Sequence, residues 1–230
     1  MILNHWVKQP GDLPIKAGEI QVWVARLDEQ KTSDFWELLE DEEKMRALRI
    51  KNPVGSRHFV VARGILRCLL GAYLDLDPVQ LVFQYGLQGK PALSGCLKKT
   101  LSFNLSHSEN LAVYGFAEGL QVGVDIEQIR PLDDLDAMAN MTFSSAECFE
   151  LKARTGAEKL DLFYMLWTCK EAVLKMMGSG LTQPMKSVKI SSYHSLLEPI
   201  EAILPDGRCC KVTPMVPATG YTGAIAVTSD

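Results

Sequence analysis

The pattern that most restricts the fold of this chain is an order of elements that runs through it twice. The first pass opens with Ile20-Gln-Val-Trp-Val-Ala-Arg-Leu27, whose alternation predicts a strand. Ser33 can cap a helix that starts near Asp34, continues to about Arg49 and ends near Asn52-Pro53. Ser56 can cap a second helix, from Arg57 to about Leu74, in which Val60, Val61, Ile65, Leu69 and Leu70 recur at helical spacing. Strands are expected at about 80–85, 101–105 and 111–117, with a turn at Glu118-Gly119. In the second pass, Leu120 to Glu127 reads as a strand. Ser144-Ser-Ala-Glu147 matches a capping box, starting a helix that ends near Thr155-Gly156. A longer helix follows from about Glu158 to Met177 and is stopped by Gly178-Ser-Gly180. Strands are expected near 187–191, 199–204, 209–215 and 221–228.

Strand, helix, helix, several strands, twice over, predicts an α+β fold. We expect a pseudo-two-fold duplicate of two similar α+β halves, 1–118 and 119–230, with the boundary near Gly119. Residue identity between the halves is slight, so element order alone carries this expectation. The 230 residues contain no low-complexity stretch or long linker. A buried seam between the halves, holding the active site at their interface, is therefore expected. A net charge of −4 gives nucleic-acid binding no support. No apolar run reaches the roughly 18–20 residues that span a bilayer, and Met1-Ile-Leu-Asn-His-Trp6 lacks the basic-then-apolar order of a signal peptide. Cysteines at 68, 96, 148, 169, 209 and 210 form no Cys-x-x-Cys pair, and we read them as reduced thiols of a cytoplasmic protein.

Two clusters carry chemistry. In Gly123-Val-Asp-Ile-Glu127, alternation on a strand sets Asp125 and Glu127 on one face and sends Val124 and Ile126 to the core on the other. In Trp167-Thr-Cys-Lys-Glu-Ala-Val-Leu-Lys175, Glu171 and Lys175 lie four residues apart on one helix face. If the two faces meet, three carboxylates converge beside one ammonium. Oxygen ligands without histidine or cysteine favour Mg2+ over zinc, and Mg2+ typically bridges to phosphate oxygens, which Lys175 could also bind. Each cluster also has an ordinary reading, as a solvated strand edge and as a surface pair worth about 0.2–0.5 kcal/mol.

Taken together, Gly123-Val-Asp125-Ile-Glu127 and Trp167-x-x-Lys170-Glu171-Ala-x-x-Lys175 resemble the two signature motifs of the phosphopantetheinyl transferase superfamily. Phe103-Asn-Leu-Ser-His107 resembles a third motif of that family and Gly89-Lys90-Pro91 a fourth. The resemblance covers about residues 40–180, and the length resembles the larger, monomeric class of the family. It implies transfer of 4′-phosphopantetheine from coenzyme A to a serine of an apo acyl or peptidyl carrier protein. It also implies Asp125, Glu127 and Glu171 as Mg2+ ligands, with Glu171, or a water it holds, taking the serine proton. Lys175 would contact the α-phosphate and help the leaving oxygen. Ser106 and His107 would hold the 3′-phosphate or its neighbours, with Lys90 near the adenine or its phosphates. Arg46 and Arg49 fall in the basic segment used around the nucleotide, and Arg63 matches an arginine of the second helix.

The resemblance also implies a carrier docking on the second half, including the helix after Ser144. Lys152, Arg154 and Lys159 are local basic residues there, ordinarily solvated. Read without the motifs, His107 is a satisfied structural histidine, and Asp41-Glu-Glu-Lys-Met-Arg-Ala-Leu-Arg49 a salt-bridged, solvated helix face. Trp167 reads as core, and Lys98-Lys99 as a turn. Two other readings use the same residues: a Mg2+-dependent hydrolase of a nucleotide diphosphate, and a non-catalytic coenzyme A binder.

Overall fold

In the computed structural model, the structure describes residues 1–8, 10–86, 89–94, 101–178, 183–191 and 198–228. Cys96, the Lys98-Lys99 turn, Leu87-Gln88 and Ser179-Gly180 lie outside them. The chain divides into two compact units, Met1–Gly119 and Leu120–Asp230.

The first unit holds strands β1 (Ile2–His5) and β2 (Ile20–Arg26), helices α1 (Asp41–Arg49) and α2 (Pro53–Leu74), then β3 (Phe83–Tyr85), β4 (Pro91–Leu93), β5 (Leu101–Ser108) and β6 (Leu111–Glu118). Its main sheet has the order β1-β2-β6-β5, and β3 pairs with β4 alone. One face of this sheet, with Trp23, Ala25, Phe103, Ala112, Tyr114 and Phe116, packs on α2 residues including Val61, Ile65, Leu66 and Leu69. The helix starts differ from expectation. The stretch expected to open a helix at Ser33 forms two short 3-10 turns, Thr32–Asp34 and Trp36–Leu38, and α1 begins only after Glu40. Asn52, not Ser56, caps α2: its side chain accepts from the backbone of Val54 and Gly55, and Pro53 sits in the first turn, where its missing N–H costs nothing. Ser56 instead donates to the Ala47 carbonyl.

The second unit holds β7 (Val122–Gln128), α3 (Leu135–Thr142), α4 (Ser145–Lys152), α5 (Gly156–Met177) and strands β8 (Lys189–Ile190), β9 (Ile200–Ile203), β10 (Cys209–Met215) and β11 (Tyr221–Thr228). Its sheet runs β7-β11-β10-β9-β8, all antiparallel. The Ser144 capping box is present: Ser144 N–H donates to Glu147 Oε2 at 2.7 Å and Glu147 N–H to the Ser144 hydroxyl. Gly178, left-handed at φ 70°, ends α5. Strands β1 and β4 and helix α3 were not anticipated; all are short.

Alternation along β7 carries a correction. Val124 and Ile126 are buried, as expected, but lie outside the core cluster built around α5. That cluster lies on the face of Gly123 and Asp125, beside their β11 partners Ala226 and Ala224. The carboxylate face of the strand is thus the face the helix covers.

Candidate functional site

Gly123 determines how close α5 comes to β7. A Cβ at this position would stand 2.1 Å from the Ala172 carbonyl oxygen and 2.2 Å from the Met176 amide nitrogen, so only glycine fits. Backbone meets backbone there, and the next inward residue of the strand, Asp125, faces the adjoining turn of the helix. Lys175 Nζ donates to Asp125 Oδ1 at 2.5 Å. Asp125 is 3% exposed. Glu171, one turn earlier, is half-buried, and its carboxyl is held above the usual range. Burial is the main cause, the negative charge of Asp125 adds to it, Lys175 opposes it, and Glu127 adds again. The field at Glu171 therefore registers Asp125, Glu127 and Lys175 together.

Among the described residues, no three His, Cys, Asp or Glu side chains are gathered closely enough to hold an ion. Lys175 serves as counter-ion to Asp125. The donor set still suits a hard divalent cation: all oxygen, with carboxylates outnumbering ammonium.

The first unit gathers arginines together with glutamates. Two cavities of about 180 and 230 Å3 share Arg46 and Gly89 in their walls. The first is also lined by Phe59, Ala62, Arg63, Pro91, Leu105 and His107, the second by Glu42, Glu43 and Tyr85. Arg63 is 5% exposed. Its guanidinium lies 5.4–5.8 Å from the rings of Phe83, Phe59 and Tyr85, and its Nε 3.2 Å from Glu43 Oε1. Glu43 in turn holds the fully buried Arg67 at 2.7 Å, and Arg67 also donates to the carbonyls of Pro78 and Leu81. The expectation of a solvated face for the Asp41–Arg49 run therefore fails at Glu43, which is 1% exposed. Its signal lay in α2: two arginines four apart inside an apolar helix need a buried carboxylate.

Other expected residues are distributed unevenly. Arg46 stands over the Phe59 ring at 5.2 Å. Arg49 is exposed at the end of α1 and lines neither cavity. Lys90 is flanked by the cavity residues Gly89 and Pro91, and burial lowers its ammonium to about 8. His107 opens on the first cavity, whereas Ser106, 8% exposed, alternates to the opposite face of β5 with Asn104 and Ser108. The adjacent pair is split between two faces. Trp167 stacks on Phe163 at 6.0 Å against the core, as expected.

With this geometry in place, comparison with known proteins is informative. A family model described as the 4′-phosphopantetheinyl transferase superfamily matches residues 121–211. The chain is 35% identical to the 4′-phosphopantetheinyl transferase HetI of Nostoc sp., over 99% of this chain and 95% of that protein. It is 26% identical to the 4′-phosphopantetheinyl transferase Sfp of Bacillus subtilis over 86% of both. A solved holo-[acyl-carrier-protein] synthase of Thermotoga maritima overlaps 46% of this chain and 61% of its own, at 15% identity and a TM-score of 0.37, too slight a likeness to bear on the fold.

Proposed function

This chain belongs to the 4′-phosphopantetheinyl transferase superfamily, and we propose that it moves 4′-phosphopantetheine from coenzyme A to a serine hydroxyl of an apo acyl or peptidyl carrier protein, with Mg2+. Adenosine 3′,5′-bisphosphate leaves. The observation that carries this reading is the pairing of Lys175 with Asp125 beside a Glu171 whose proton affinity is raised by burial and by both neighbouring carboxylates.

Asp125, Glu127 and Glu171 would hold the metal. When bound, Mg2+ supplies charge neutralisation and in-line orientation of the diphosphate. Glu171, directly or through a water, would accept the serine proton. The serine oxygen bonds to the phosphorus that bears pantetheine, and the bond from that phosphorus to the bridging oxygen breaks. Lys175, released from Asp125, stabilises charge on the phosphoryl and leaving oxygens. Arg46, Arg63, Lys90 and His107 are assigned to the nucleotide phosphates, with Tyr85 and Phe59 offering ring faces beside them. We give Ser106 and Arg49 lesser weight, since neither lines these cavities.

We also propose that the two units are a duplication, 1–118 and 119–230. In each sheet the last strand before the long helix pairs with the final strand, which pairs with the penultimate one: β2-β6-β5 and β7-β11-β10. Each unit carries a helix of 22 residues. A monomeric, cytoplasmic enzyme follows from the same resemblance. Among the described residues no helix is long and apolar enough to cross a membrane.

The test is intact mass spectrometry of an apo carrier protein incubated with this protein, coenzyme A and Mg2+. A gain of one phosphopantetheine, abolished by chelator and by Glu171→Ala, supports the reading. Coenzyme A cleaved without any gain by the carrier points to the hydrolase, and coenzyme A bound without turnover to the non-catalytic binder.

A further inference from the structure

Directly before Glu171 on α5 stands a residue the mechanism does not use. Lys170 is completely buried, and so is its partner Glu147 at 2.8 Å. The ammonium also donates to the carbonyls of Val188 at 2.5 Å and Met185 at 3.2 Å. It lies 5.7 Å from the Phe143 ring. Its three protons therefore have three acceptors. Glu147 is equally engaged: it accepts from the backbone N–H of Ser144 at the start of α4 and from that of Ile190 in β8. One ion pair thus ties α5 to the first turn of α4, to the 185–188 turn and to β8.

Such a pair is a poor way to gain stability, since dehydrating two charges offsets most of their attraction and apolar residues of similar volume often do as well. Its distinctive property is direction. Apolar neighbours such as Phe163, Leu166 and Val173 tolerate a slightly rotated helix, whereas three hydrogen bonds to fixed carbonyls and a carboxylate do not. Successive residues on a helix are about 100° apart, so a fixed azimuth at 170 fixes the azimuth at 171. With side-chain ends about 5 Å from the axis, a rotation of 10–20° displaces them by roughly 1–2 Å, enough to cost about 100-fold in a positioned reaction. Gly123 sets how near α5 approaches β7, but a glycine has no side chain with which to set rotation.

We propose that Lys170 and Glu147 are positioning residues that lock the rotation of α5 and thereby aim Glu171 and Lys175 at Asp125. This rests on the functional reading above. The test is the double variant Glu147→Gln/Lys170→Met, which leaves no charge buried alone, compared with the wild type. Thermal unfolding, steady-state transfer to an apo carrier protein, and binding of Mn2+ in the presence of coenzyme A, followed by loss of the free-ion paramagnetic signal, are measured on both. We expect a cooperatively folded protein, turnover reduced about 10–100-fold, Mn2+ affinity reduced about tenfold and the KM for coenzyme A changed less than threefold. A folded double variant with wild-type turnover and Mn2+ affinity overturns the proposal. Should it not fold, Glu147→Asp, which keeps the charge and shortens the reach by one methylene, is judged by the same readouts and the same overturning result. Absence of carrier modification by the wild type itself would instead fail the functional reading.

Discussion

The two units build charged clusters of different composition: guanidiniums matched by carboxylates in the first, carboxylates in excess in the second. In the first, Arg63 and Arg67 pair with Glu43, Arg67 also with Glu40, Arg46 stands over the Phe59 ring, and cavities open beside them. In the second, Asp125, Glu127 and Glu171 outnumber Lys175. A cluster in which carboxylates outnumber cationic groups is completed by a cation. In the function proposed above, the arginine-bearing cluster is given the nucleotide phosphates and the carboxylate cluster the metal.

The sharpest way to break this division is at Glu171. Glu171→Ala should reduce transfer by about 10³-fold or more, since base and metal ligand go together, measured by single-turnover mass spectrometry of the carrier. A variant within tenfold of wild type would end the assignment. The same residue makes a signed prediction for stability. Its carboxyl is raised in the folded state, so its contribution is full below the ordinary glutamate range and lost as pH rises through the folded value. Metal-free wild type should therefore lose stability over that window relative to Glu171→Gln, in melts taken across pH.

Next comes Gly123→Ala. The added methyl meets backbone at about 2 Å, so α5 must lift from β7. A cost of at least about 3 kcal/mol is expected, and Tm should fall by roughly 6–12 °C for a chain of this size.

Lys175→Ala and Arg46→Ala sharpen the comparison as a pair. The first should lower kcat about 100-fold and leave the KM for coenzyme A nearly unchanged. The second should weaken coenzyme A about tenfold with little change in kcat, as expected for loss of one charge-assisted contact. Exchange of these two patterns would reverse which unit handles the nucleotide.

The smallest effect is at Lys90. Burial lowers its ammonium to about 8, so the positive charge is lost as pH rises through that value. The KM for coenzyme A should rise a fewfold between pH 7 and 9 in the wild type and stay flat in Lys90→Met.

Much of this was legible in the sequence where a local signal existed. The Ser144 capping box and the glycine stop after α5 are written in neighbouring residues and formed as read. Asp125, Glu171 and Lys175 were identified by motif. What escaped depends on partners distant in sequence. Ser33 and Ser56 are acceptable caps, but Glu40 and Asn52 hold those places, because Pro53 suits a first turn and Glu43 is drawn inward by Arg63 and Arg67. Glu147 looked like a cap and no more, since nothing within four residues shows that Lys170 buries against it. Which face of β7 the long helix would cover was not given by alternation either. The absence of a side chain at Gly123 decides that.

That absence also reaches back into assembly. A one-residue slip of β7 against β11 would bring Val122 or Val124 under the helix in place of Gly123 and turn Asp125 to the other face. Neither valine leaves room for α5 at backbone distance. Chains with misregistered strands therefore cannot close over the sheet, while a chain that closes already has its acidic residues facing the helix. Closure of the core and alignment of the acidic residues thus share one requirement, the missing side chain at Gly123.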